Sequence, residues 1–128
     1  MHQTPTDSEI EILQILWQEG QLTVRAIHEQ IAQRREVVYT TTLKQLQRMV
    51  DKGFVQQHKT GKSHEYSAIL PEQQTKGSLV QRLVNTAFKG STADLLLHAL
   101  GDGQASDDEL DALEKWLEEK RKGNSPSQ

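Results

Sequence analysis

Cysteine does not occur in this 128-residue chain. Its absence excludes disulfide frameworks and removes thiolate metal and redox sites. No apolar run approaches the roughly 18 residues that a membrane-spanning helix needs. The opening stretch, MHQTPTDSEIEI, carries acids where a secretory signal would carry Lys or Arg ahead of an apolar segment. A cytoplasmic location is the expectation, with no membrane partner. The five histidines, His2, His28, His58, His64 and His98, form neither an HExxH nor an HxH pattern, and no glycine-rich phosphate loop or GxSxG is present. Asp107-Asp108 and Glu118-Glu119 read as helix-end and solvent-face charges rather than a catalytic pair. No enzymatic activity, metal or cofactor is expected. Repeats and low-complexity blocks are also missing.

What is present is an uneven charge distribution. The net charge is −3, with 34% hydrophobic and 26% charged residues. From 34 to 64, however, seven bases (Arg34, Arg35, Lys44, Arg48, Lys52, Lys59, Lys62) face two acids (Glu36, Asp51), a local +5 with His58 and His64 in reserve. Residues 71–128 hold seven bases and ten acids. A localised positive region beside an acidic tail is an electrostatic footprint of phosphate binding.

The apolar spacing predicts helices, then one hairpin, then helices again. Thr6-Asp7-Ser8-Glu9 has the form of a capping box, Ile10, Leu13, Leu16 and Trp17 follow at helical spacing, and Gly20 stops the helix. Thr23 can cap a second helix carrying Val24, Ile27 and Ile31. A third ends at Lys52-Gly53, a cation followed by the residue suited to a left-handed cap. Segments 54–59 and 64–69 can be extended, joined by the turn residues Thr60-Gly61-Lys62-Ser63. Pro71 fits the first turn of a fourth helix with Leu79, Val80, Leu83, Val84 and Phe88, closed by Lys89-Gly90. Ser91 opens a short apolar segment, 95–100, before the break at 101–103. Ser106-Asp107-Asp108-Glu109 is a second capping box, and the last helix ends on Lys120, Arg121 and Lys122, as its macrodipole favours. The tail, 123–128, is expected to be disordered.

The third helix, about 41–52, contains the chemistry. On a wheel, Leu43, Leu46 and Val50 cluster and should face the core, which leaves Thr41, Lys44, Gln45, Arg48 and Lys52 outward with Asp51 at the margin. An apolar stripe behind and Thr, Lys, Gln and Arg in front is what a helix in the major groove needs. The three consecutive threonines are poor helix formers but useful here. Thr40 is expected to cap the helix, while Thr41 offers a hydroxyl to phosphate or base and a methyl to thymine. A following hairpin, 54–69, with Lys59, Lys62 and His64 near its tip, can act as a wing on the adjacent backbone.

The segments EIEILQILWQEGQLTVRAIHEQI (9–31), YTTTLKQLQRMVDKGFV (39–55) and TGKSHEYSA (60–68), in this order and spacing, resemble the penicillinase-repressor family, the BlaI/MecI/CopY group of bacterial transcription regulators. The resemblance runs over about residues 7–118. It implies a winged helix-turn-helix domain (1–70), mainly α with a small β-hairpin, and a helical dimerisation domain (71–122). It also implies repression by a homodimer on a near-palindromic operator. By position, Tyr39, Thr40, Thr41 and Thr42 match the start of the family's recognition helix, Lys44, Gln45 and Arg48 its groove-facing side, and Lys62 and His64 its wing. Thr42 stands where the family often has valine and is a contact only from the helix flank. Lys62 replaces a common arginine, keeping the charge without the bidentate fork.

Two departures bear on regulation. Copper-responsive members bind metal through C-terminal cysteines, which this chain lacks. Members inactivated by a cognate sensor protease, the further partner the resemblance implies, are in some cases cut at an Asn-Phe bond, and none occurs here.

Leu79, Leu83, Phe88, Leu95, Leu96, Leu97, Leu100, Leu113, Trp116 and Leu117 are many apolar side chains for so short a segment to hide alone, and a two-fold partner would bury them. Two alternatives stay open at this level: a monomer whose last helices fold back, and a winged-helix protein–protein interaction module turning the same cationic face to an acidic partner.

Overall fold

The protein is described by a computed structural model over residues 4–123, so the expected tail lies outside the described residues except for Gly123, the last residue of the final helix. Two compact units divide the chain, Met1–Gln81 and Arg82–Gln128.

The first unit begins with helix α1 (Asp7–Glu19). Its capping box forms as the sequence predicts: Glu9 N–H donates to Thr6 Oγ1 at 3.3 Å, and Thr6 N–H donates to Glu9 Oε1 at 2.9 Å. Gly20, at φ 92°, ends the helix, and its N–H donates to the Leu16 carbonyl. A two-residue strand, β1 (Leu22–Thr23), leads into α2 (Val24–Ala32), whose Ala26 N–H is accepted by the Thr23 hydroxyl at 3.1 Å.

Helix α3 (Tyr39–Asp51) starts earlier than the sequence suggested. Its N-cap is Val38, with no side-chain capping bond, so Thr40 is not the cap but an exposed residue of the first turn. The far end closes as Lys52-Gly53 predicts. Gly53 N–H donates to Val50 O and Phe54 N–H to Met49 O, a Schellman arrangement in which Gly53 takes φ 80° and Phe54 meets Met49 in the core.

Strands β2 (Val55–Thr60) and β3 (Ser63–Ala68) form the expected hairpin, and β3 also pairs with β1, giving an antiparallel sheet of order β1-β3-β2. The register sets Lys59 opposite His64 and Gln57 opposite Tyr66. At the turn Gly61 adopts φ 63° while Lys62 does not, the pattern of a two-residue turn with glycine first.

The core of this unit joins Ile12, Leu13, Ile15 and Leu16 of α1 to Val24, Ile27 and Ile31 of α2, Leu46 and Met49 of α3, and Phe54, Val55 and Tyr66. Burying each such aliphatic side chain contributes about 1.5–3 kcal/mol. Trp17 ties the end of the hairpin down, its Nε1–H donating to the Leu70 carbonyl at 2.8 Å.

Helix α4 (Glu72–Ala87) starts directly after Pro71, whose carbonyl accepts from Thr75 N–H, and the division between the units falls within it. The second unit continues with α5 (Thr92–Gly101), capped by Ser91 Oγ accepting from Asp94 N–H, and α6 (Asp107–Gly123). The second capping box is present, with reciprocal Ser106–Glu109 bonds of 3.0 and 3.1 Å. Among the described residues, no helix is long and apolar enough to cross a membrane.

Candidate nucleic-acid interface

Helix α3 presents its open side because of which residues it buries. Thr42, Leu46 and Met49 are buried, with Leu43 and Val50 half-buried beside them. The stripe is therefore centred one step around the helix from the Leu43–Leu46–Val50 arc read from sequence. Opposite it, Thr40, Thr41, Lys44, Gln47 and Arg48 are exposed. Neither Lys44 nor Arg48 has an ion-pair partner among the described residues. Asp51 is exposed on the same side in the last turn, so the acid-free stretch covers the N-terminal three turns.

The rotation changes where three residues stand. Thr42 is 2% exposed, turned inward rather than to the open face; its Oγ1 lies 2.9 Å from His28 Nδ1, a bond between α3 and α2. Gln45 is half-buried, whereas Gln47, which the sequence reading passed over, is exposed. Lys52 does not face outward freely: its Nζ lies 2.7 Å from Oε2 of Glu9, a carboxylate only 2% exposed. Burial raises the Glu9 pKa, but the Lys52 ammonium and the Thr6 hydrogen bonds outweigh it and hold the carboxyl below its ordinary value.

The local positive charge is thus smaller than the sequence count. Arg35 is also engaged, its Nη2 donating to Glu11 Oε1 at 2.8 Å. Both of these pairs tie the cationic segment to α1. Arg34, Lys44, Arg48, Lys59 and Lys62 remain for a partner.

Tyr39 opens α3 with 40% of its surface exposed, its ring edge-on to His28 at 5.5 Å between centroids. On the hairpin Lys62 and His64 are both exposed, Lys62 within the turn and His64 beginning the outward course of β3. Lys59, the cross-strand partner of His64, shares its face. The opposite face is structural: Gln21 Nε2 donates to Glu65 Oε1, and His58 Nε2 lies 2.8 Å from Ser67 Oγ. Between α3 and this hairpin runs a groove of about 580 Å³ whose lining includes Tyr39, Gln47, Gln57 and His64. No cluster of His, Cys, Asp or Glu able to hold a metal occurs among the described residues.

Along α4, α5 and α6 the expected dimerisation residues are largely uncovered. Leu83 (48%), Leu96 (46%), Leu97, Leu100, Leu113, Trp116 (54%) and Leu117 are exposed, while Leu79, Phe88 and Leu95 are half-buried.

Comparison with known proteins identifies a family and a fold. The family model described as penicillinase repressor matches residues 5–119. A transcriptional regulator BlaI of Mycobacterium tuberculosis is 31% identical over 120 residues, covering 92% of this chain and 86% of that protein. The methicillin resistance regulatory protein MecI of Staphylococcus aureus is 24% identical over 115 residues, covering 90% and 94%. Among solved structures, the DNA binding domain of the repressor BlaI aligns with a TM-score of 0.50 at 22% identity over 56% of this chain and 90% of that one. A MarR family protein from Bacillus stearothermophilus aligns at 0.51 and 20% identity over 96% and 77%. These two support the winged-helix fold of the first unit. On the family match and the 31% relative, the chain belongs to the penicillinase repressor family of transcriptional regulators.

Proposed function

We propose that this protein represses transcription by binding a near-palindromic operator as a homodimer. Each protomer places α3 in the major groove and sets the tip of the β2–β3 hairpin on the neighbouring backbone. The observation that carries this reading is the open arc of α3, where Thr41, Lys44, Gln47 and Arg48 stand exposed in front of a fully packed apolar stripe. These residue types bond to base edges and phosphates, and the helix behind them is held by its core and, at its C-cap, by the Lys52–Glu9 ion pair to α1. The uncapped first turn adds backbone N–H groups that favour an anion.

Tyr39, Thr40, Thr41, Lys44, Gln47 and Arg48 form the groove-facing set, and Lys59, Lys62 and His64 the positioning set. The exposed leucines of α4, α5 and α6 support a two-fold interface, which would space two recognition helices about one DNA turn apart.

A gel shift on the DNA upstream of the protein's own gene, with and without random competitor, tests the reading. Specific binding should survive excess competitor, and log K should fall steeply and linearly with log salt. Equal affinity for operator and random duplex would remove the repressor. Binding to an acidic protein but to no duplex would establish the interaction-module alternative instead.

A further inference from the structure

Arg25 is absent from every set named so far, although it borders the groove between α3 and the hairpin. We propose that this groove seats one phosphodiester of the bound duplex and that Arg25, held against the ring of Tyr39, is the cation that receives it. The inference rests on the repressor reading and extends it to helix α2.

The guanidinium carbon of Arg25 lies 5.9 Å from the centroid of the Tyr39 ring. That ring stands at 76° to the His28 imidazole, and His28 is held by the buried Thr42 hydroxyl. A guanidinium resting on an aromatic face uses its π-surface there and leaves its in-plane N–H donors for an oxyanion. Arg25 has no carboxylate partner among the described residues, and no carboxylate lines the groove. Glu65, next in sequence to the groove residues His64 and Tyr66, points to the other face of β3 and is held by Gln21.

The remaining lining is rich in donors and neutral acceptors: Thr23, Gln47, Gln57, Ser63 and His64. Gln47 and Tyr39 also belong to α3, so the groove continues the surface already assigned to DNA. An occupant here is a strand that leaves the major groove and passes under the wing. Its exposed chemistry at that point is phosphate and sugar, which matches one planar cation among neutral polar groups.

The test uses the full chain on operator and random duplexes between 50 and 200 mM salt, with ethylation interference to map phosphates. Arg25→Ala should weaken both duplexes by the same factor and flatten the salt slope by about one unit per protomer. One phosphate per half-site should drop out of the interference pattern. Arg25→Lys should retain the slope, because charge persists. Tyr39→Leu should weaken binding and combine less than additively with Arg25→Ala. An Arg25→Ala chain with unchanged slope and interference pattern, beside a wild type that binds, overturns this inference alone. A wild type that binds no duplex overturns the repressor reading and this inference with it.

Discussion

Arg48 and Lys62 carry the same charge and should fail differently when it is removed. Arg48 projects from the open arc of α3 with a planar fork that can bridge two base acceptors. Arg48→Ala should cost about 1–3 kcal/mol of operator affinity and relax base preference, read by competition with single-base operator variants. An equal loss on random DNA would reassign Arg48 to phosphate. Lys62 sits in the hairpin turn, remote from base edges on this reading. Lys62→Ala should lower affinity evenly across sequences and reduce the salt slope by about one unit per protomer; an unchanged slope contradicts wing contact. The threonines separate in the same way. Thr42→Val removes the bond to His28 inside the α2–α3 contact and should cost about 1 kcal/mol of folding stability. Thr41→Val should leave the melting temperature in place and weaken DNA binding. If the two variants exchange these effects, the orientation of α3 is wrong. The sequence showed the composition of this face but not its centre. Leu43, Leu46 and Val50 are the obvious apolar set, and nothing local reveals that Thr42 and Met49 are buried more deeply than the outer two. That choice is made by α2, where His28 supplies a partner for a buried hydroxyl.

Elements are held together here by one buried carboxylate used twice. Glu9 closes the capping box of α1 and also pairs with Lys52 just past the end of α3, so it couples the start of one helix to the finish of another. Its folded-state pKa lies below the ordinary carboxylate value, because Lys52 and Thr6 favour the charged form more than burial disfavours it. The stabilisation is therefore present above the unfolded value near 4.5 and is lost as pH falls through the depressed native one. Glu9→Gln should lower stability by about 1–2 kcal/mol at neutral pH in urea titrations, a modest figure because Lys52 is partly solvated. The gap from wild type should close as pH falls below about 4.5; a constant gap would show that the ion pair is not its source. Elements defined by short-range chemistry were legible in advance. Both capping boxes, the Thr23 cap and the Gly53 termination depend on residues close together in the chain. Strand β1 was not legible, since two residues carry no period and Leu22–Thr23 becomes a strand only because Tyr66 and Glu65 lie alongside. The pairings of Arg35 and Lys52 with α1 were hidden for the same reason: each joins residues far apart in the chain.

For the whole molecule, the proposed reading gives the second unit the task of turning one weak half-site contact into two. Joining two recognition helices converts the second encounter into an intramolecular one, which raises apparent affinity without any new contact. Leu96 is 46% exposed in the protomer, so Leu96→Asp should leave helix content intact while impairing dimerisation and DNA binding together. A stable dimer with full binding would exclude Leu96 from the interface. Sedimentation at micromolar concentration gives the independent check, and a lone 14.5 kDa species would exclude the dimer itself. The surplus of apolar side chains was readable as an amount, since ten large residues crowd a short stretch. Which of them stay uncovered was not, because Leu95 and Phe88 are half-buried within the protomer while Leu96 and Leu97 are not. The placement of the two tryptophans turns this into something an optical measurement can follow. The indole of Trp17 is pinned to the Leu70 carbonyl beneath the hairpin, whereas Trp116 stands 54% exposed in α6 under the ammonium of Lys120. In a Trp17→Phe chain, the emission maximum should move to shorter wavelength as protein concentration rises. In a Trp116→Phe chain the colour should stay fixed through that range and redden only when denaturant opens the first unit.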